Sequence, residues 1–72
     1  MPTESSIKLL DVVALTLDVP GKGLSCGQVG TVVEMLGRNM FEIEFCDDWG
    51  QPYAQCAFGG SKLMVLHFEP VH

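Results

Sequence analysis

Apolar and polar positions alternate through most of this chain, and no stretch keeps helical spacing long enough for a helix of substance. Phe41-Glu42-Ile43-Glu44-Phe45 alternates without error, which turns Phe41, Ile43 and Phe45 toward a core and Glu42 and Glu44 toward water. Residues 29–36 predict the strand before it, with Val29, Thr31, Val33 and Met35 alternating against Gly30, Val32 and Glu34. Gly27 and Gly30, three apart, read as a tight turn opening that strand. Gly37-Arg38-Asn39 reads as the hairpin turn that closes it, since Gly and Asn adopt positive φ cheaply. Residues 10–17 predict a first strand, with Val13, Leu15 and Leu17 on one face and Val12, Ala14 and Thr16 on the other. Its second face is apolar too, so a tail, a loop or a neighbouring subunit is needed to cover it.

Residues 18–27 hold four chain breakers, Pro20, Gly21, Gly23 and Gly27, and predict one long loop without helix or strand. Asp47-Asp48-Trp49-Gly50-Gln51-Pro52 separates the third strand from a fourth over residues 53–58. Their register can be chosen on paper. Setting Cys46 against Tyr53, Phe45 against Ala54, Ile43 against Cys56 and Phe41 against Phe58 pairs every inward position with an apolar one. Glu44 then meets Gln55 and Glu42 meets Ala57 outside, whereas a slip of one residue spoils the match. Residues 59–62 form a turn with room for one 3₁₀ turn, before a last strand over 63–66. The prediction is an all-β, five-stranded small barrel, closed or half-closed, over residues 7–67. Closure would dispose of its sheet edges. Residues 1–6 and 68–72 are expected to be tails, with Pro70 keeping the second from extending the sheet.

Length makes this one domain with a thin core, because a chain of 72 residues buries only about 60% of its unfolded surface. The 47% of apolar residues is enough for a globular fold, and no apolar run approaches the roughly 20 residues of a membrane span. The first six residues carry one acid and no base, unlike a secretory leader, and the expected location is the cytoplasm. Nine acids against four bases leave a formal charge of −5. Lys8, Lys22, Arg38 and Lys62 stand singly and form no basic stripe, so a nucleic-acid partner is not expected. A basic protein partner is compatible with that balance. Cys26, Cys46 and Cys56 are odd in number and contain no Cys-x-x-Cys pair, so neither a zinc site nor a redox motif is indicated. They read as inert thiols acting as small core hydrophobes, with an intermolecular disulfide as the alternative.

Asp11-Val12-Val13-Ala14-Leu15, Gly27-Gln28-Val29-Gly30-Thr31-Val32-Val33-Glu34, Glu42-Ile43-Glu44-Phe45, Asp48-x-Gly50 and Leu63-x-Val65-Leu66-His67 resemble a family of short bacterial proteins, common in cyanobacteria and without assigned function. The resemblance runs from Ile7 to His67. It implies an SH3-like barrel, a cytoplasmic setting and a binding role, and it brings no catalytic residues. Genes of that family neighbour toxin-like partners, so the resemblance also implies an antitoxin-like role. More distantly, Gly27-x-x-Gly30-x-Val32 resembles the opening of KOW-type modules, which would imply nucleic-acid binding. The acidic balance of this chain departs from the basic loops such modules need.

Trp49 lies in a loop between acids and a glycine, where it either contacts a partner, as loop aromatics do in SH3-like modules, or folds back to cap one barrel mouth. Glu34, Glu42 and Glu44 should share the outer face of neighbouring strands, with Asp47 and Asp48 beyond them. Like charges side by side on a sheet cost stability, which a basic partner, Arg38 or Lys62 of a second subunit would relieve; an ordinary solvated face is the alternative. Trp49, Asp47, Asp48, Glu42, Glu44 and Tyr53 are therefore the expected partner-binding residues. Asp47-Asp48 has no third ligand spaced to complete a metal site, and Lys22 and Ser25 lack the spacing of a phosphate loop. His67 and His72 have no nucleophile or paired carboxylate near them in sequence, and Met35, Met40 and Met64 read as core or rim filler. No catalytic residue, metal or cofactor is expected. The chain is thus read as a non-enzymatic module for a protein partner that also self-associates. A KOW-like nucleic-acid binder and a small-ligand protein with a pocket between subunits are the alternatives.

Overall fold

In a computed structural model, which describes residues 7–67, the chain forms five strands: β1 (Val12–Leu15), β2 (Val29–Gly37), β3 (Met40–Cys46), β4 (Pro52–Gly59) and β5 (Leu63–Val65). They make one antiparallel sheet in the order β4-β3-β2-β1-β5, the order of an SH3-like barrel. The sheet curls into a barrel-like form but does not close, because β4 and β5 are its two free ends. Closure would have removed the edges; among the described residues both remain. No α-helix occurs among the described residues, and none is long and apolar enough to cross a membrane. The expected tails at 1–6 and 68–72 lie outside the described residues.

The core is wholly apolar. Val13, Leu15, Val32, Ile43 and Phe45 are almost fully buried, with Phe41, Phe58, Leu63, Leu24 and Ile7 around them. The error-free alternation of β3 does what it promised: Phe41, Ile43 and Phe45 are inside while Glu42 and Glu44 are half-buried on the other face. Phe45 packs edge-on against Phe58 at 6.2 Å between ring centres. The β3–β4 register matches the sequence reading at Phe41–Phe58, Glu42–Ala57, Ile43–Cys56, Glu44–Gln55 and Phe45–Ala54. It fails at its end, where Cys46 pairs with Pro52 rather than Tyr53. A bulge there places Tyr53 and Ala54 together against β3, as a residue with no partner of its own must sit.

Strand β2 departs further from simple alternation. Irregularities between Val32 and Glu34, and between Met35 and Gly37, leave Val33 and Leu36 without Cα partners on β3. The first shift turns Glu34 to the outer face, opposite Glu42, and sets Met35 opposite Phe41. Strict period two would have kept Glu34 on the face of Val32. The two glycines that open this strand also divide their labour. Gly27, at φ 93°, makes the turn. Gly30 lies inside β2, opposite Phe45, where an added Cβ would stand 2.6 Å from Cγ2 of Ile43 and 2.9 Å from the carbonyl oxygen of Glu44. Its role is close packing, not turning.

Strand β1 is shorter than predicted: Leu10, at φ 73°, ends a turn just before it, and the strand stops at Leu15. The Asp11 carboxylate accepts from the Lys8 N–H at 2.8 Å and fixes that turn. The long loop, residues 16–28, is more ordered than its breakers implied. Pro20 starts a 3₁₀ turn (Pro20–Lys22), and Gly23, at φ 70°, caps its end, so two of the breakers bound one short element. Val19 bridges Leu24, which drops into the core at 2% exposure. Of the thiols, only Cys56 packs on the core; Cys26 and Cys46 are exposed, contrary to their reading as core hydrophobes. Met35, Met40 and Met64 are exposed at the rim rather than in the core.

Candidate functional site

The turn between β3 and β4 is built from one side chain. Asp47 Oδ1 accepts from the backbone N–H groups of Trp49 and Gln51, each at 2.9 Å. Its backbone N–H donates to the Gln51 carbonyl at 2.9 Å, and its carbonyl accepts from the Gly50 N–H at 3.0 Å. A carboxylate holding two turn amides, two residues apart, fixes the backbone between them, and Gly50 supplies the positive φ, 78°, that returns the chain to β4. The residue carried at the tip is Trp49, and it is 85% exposed. It does not fold back over the barrel mouth. Asp48 is exposed beside it.

Tyr53 follows two residues after this turn, but the bulge aims it elsewhere. Its ring sits 6.3 Å from that of buried Phe45, and its hydroxyl accepts from Gln28 Nε2 at 2.9 Å. Gln28 Oε1 in turn accepts from the Ser25 N–H. One amide thus ties the end of the long loop to the start of β4, while Asp18 Oδ1 holds the Cys26 N–H at 2.8 Å. Sequence reading missed Gln28 and Asp18. Their only signal was a polar residue on either side of a glycine-rich stretch, and such residues usually just face water.

Glu42 and Glu44 stand on the outer face of β3, two residues apart, with Glu34 across from Glu42 on β2. Glu42 takes a hydrogen bond from Gln55 Nε2 at 3.0 Å, and Glu44 from the Cys46 thiol at 3.9 Å. Both donors are neutral, so neither carboxylate has its charge balanced by them. Partial desolvation, then the negative charge and hydrogen bond of Glu44 and the charge of Asp47, hold the Cys46 thiol above its ordinary pKa. A thiol so placed stays protonated near neutral pH and is a poor nucleophile. The six expected residues therefore divide into three places. Asp47, Asp48 and Trp49 share one turn, Glu42 and Glu44 share the outer face, and Tyr53 belongs to the rim of the core. Among the described residues, no three His, Cys, Asp or Glu side chains gather as a metal site would require.

With that geometry in place, comparison with known families is decisive on one point. Residues 9–65 match the model of a domain of unknown function, DUF4926. The chain belongs to the DUF4926 family. That span of the DUF4926 domain takes in all five strands, the long loop and the Trp49 turn. No curated protein and no solved structure matches the chain.

Proposed function

We propose that this DUF4926 domain is a non-enzymatic protein-interaction module of the cytoplasm, accessory or antitoxin-like, whose Trp49 turn and acidic outer face engage a basic protein partner. The observation that carries the reading is Trp49 at 85% exposure on a turn braced by Asp47. A tryptophan offers more apolar area than any other side chain, and burying a large apolar side chain is worth about 1.5–3 kcal/mol. A domain with so thin a core that leaves its single tryptophan in water forgoes that stabilisation, and contact with another molecule is where it is recovered. The flanking acids, the unbalanced Glu42 and Glu44 and the net charge of −5 select a partner bearing lysine or arginine, which the indole face also attracts. The antitoxin-like role follows the family resemblance drawn from the sequence.

The test is affinity capture from the native host with wild-type and Trp49→Ala baits side by side. A basic protein held by the first and lost from the second supports the reading; the same capture by both baits refutes it. Self-association is proposed on a separate surface. Exposed Met64 and Val29 flank buried Ala14 across β5, β1 and β2, giving β1 the apolar second face that a second copy would cover. Light scattering at micromolar concentration should return a mass above that of the monomer, and a strictly monomeric mass would end this part of the proposal.

A further inference from the structure

Among the described residues, one long sheet edge is left largely unguarded. Strand β4 is eight residues long and, among the described residues, pairs only with β3. Edge strands are normally blunted by charged residues, by a proline or a bulge within the strand, or by shortness. The opposite edge, β5, is short at three residues and is preceded directly by Lys62. Strand β4 reads Pro-Tyr-Ala-Gln-Cys-Ala-Phe-Gly, with no charge anywhere; its proline and its bulge at Tyr53 are confined to the first two positions and leave residues 54–59 regular. Its outer backbone groups form a template for another strand.

The chemistry beside that edge says what the strand should be. In the β3–β4 ladder Glu42 lies behind Ala57 and Glu44 behind Gln55. Neighbouring strands are about 4.8 Å apart, so an added strand would lie two spacings from β3. The methyl of Ala57 leaves the way across β4 open, and a long side chain opposite it can lie over that methyl to reach Glu42. On the other face the added strand would meet the Ala54, Cys56 and Phe58 side, which is apolar. The complement is an extended segment that alternates basic and apolar residues. A second copy does not fit: its β4 carries no cation, and it would bring its own glutamates to a chain already at −5.

We propose that the free edge of β4 takes up an extended segment of a partner protein, alternating lysine or arginine with apolar residues, as a sixth strand. This rests on the reading of the chain as a module for a basic protein, and it specifies backbone pairing as the mode of binding. The probe is a synthetic peptide of four Lys-Val repeats, followed by amide NMR and hydrogen exchange on the full chain. Three comparisons accompany it: a Glu-Val peptide, a Lys-Val peptide N-methylated at every second residue, and the variant Ala57→Lys, which changes an exposed position.

The expected result is protection of alternate amides along residues 53–59 and affinity that falls with salt. The Glu-Val peptide should not bind, and N-methylation and Ala57→Lys should each weaken binding by about tenfold or more. Equal binding of the plain and N-methylated peptides, with shifts confined to the Trp49 turn and to Glu42 and Glu44, would overturn edge pairing while leaving the proposed function intact. Failure of the Lys-Val peptide to bind would overturn the inference outright. So would protection of the β4 amides in the free, self-associated protein, because a second copy would then hold the edge.

Discussion

The two turns at either end of β3 are made in opposite ways. The β2–β3 turn stands on backbone chemistry: Gly37 has φ 123° and Asn39 φ 55°, and the Asn39 carbonyl accepts from the Gly60 N–H at 3.0 Å. The β3–β4 turn stands on side-chain chemistry, with the Asp47 carboxylate gripping two amides. The first is flanked by exposed Met35, Leu36 and Met40 and carries one cation, Arg38. The second carries acids and Trp49. A turn needs special residues only where its backbone demands them. Everything demanded by the β3–β4 turn is met by Asp47 and Gly50, so nothing in its geometry explains a tryptophan. The contrast separates residues kept for folding from a residue kept for something else.

The largest expected effect sets the scale for both turns. Gly30→Ala forces a methyl into Ile43 and the Glu44 backbone in the strand that leads to the first turn. Overpacking of that kind costs about 1–3 kcal/mol, and backbone as the obstacle puts this case near the top of the range. Thermal or urea unfolding measures it, and an unchanged midpoint would remove Gly30 from the packing account. Gly27→Ala acts on φ alone, with open space around the new methyl, and should cost less.

Next come the turns themselves, compared as a pair. Gly37→Ala should destabilise by about 1–2 kcal/mol or more, because φ 123° lies outside what an L side chain adopts. Asp47→Ala should cost about 1 kcal/mol through two lost acceptor contacts on an exposed turn, and Asp47→Asn, which keeps an acceptor oxygen, should recover most of it. If Asp47→Ala and Asp47→Asn behave alike, charge rather than hydrogen bonding holds the turn. That result would erase the distinction between the two constructions.

A smaller effect reads the electrostatics beside the second turn. The Cys46 thiol is held above its ordinary pKa by desolvation and by Glu44 and Asp47, so its alkylation should rise only above the pH at which an ordinary thiol responds. Glu44→Gln removes a negative charge and should move that rise to lower pH. Single-cysteine variants followed by mass spectrometry across the alkaline range would show it, and coincident profiles would mean that Glu44 does not act on the thiol.

Much of the fold was legible because β3 obeys period two and its hydrophobic match to β4 admits one register. The rest was hidden where local exceptions outrank pattern. The bulges in β2 and at Tyr53 insert residues that no alternation announces: Glu34 beside Glu42 was expected, but the shift that puts it there was not, nor was the place of Tyr53 at the rim. Breakers in the long loop mark the ends of a 3₁₀ turn as readily as a structureless segment, and Leu24 between them belongs to the core. For the site, the acids on β3 followed from alternation. The exposure of Trp49 did not, because only the Asp47 bonds decide which way that turn points.

The central claim is that Trp49 serves contact and not folding. Its most direct test is the Trp49→Ala variant carried through thermal unfolding and capture of the partner in parallel. A side chain 85% exposed contributes little to the core, so stability should change by no more than about 0.5 kcal/mol while capture of the basic partner is lost. A loss of several kcal/mol, or undiminished capture, would contradict the account.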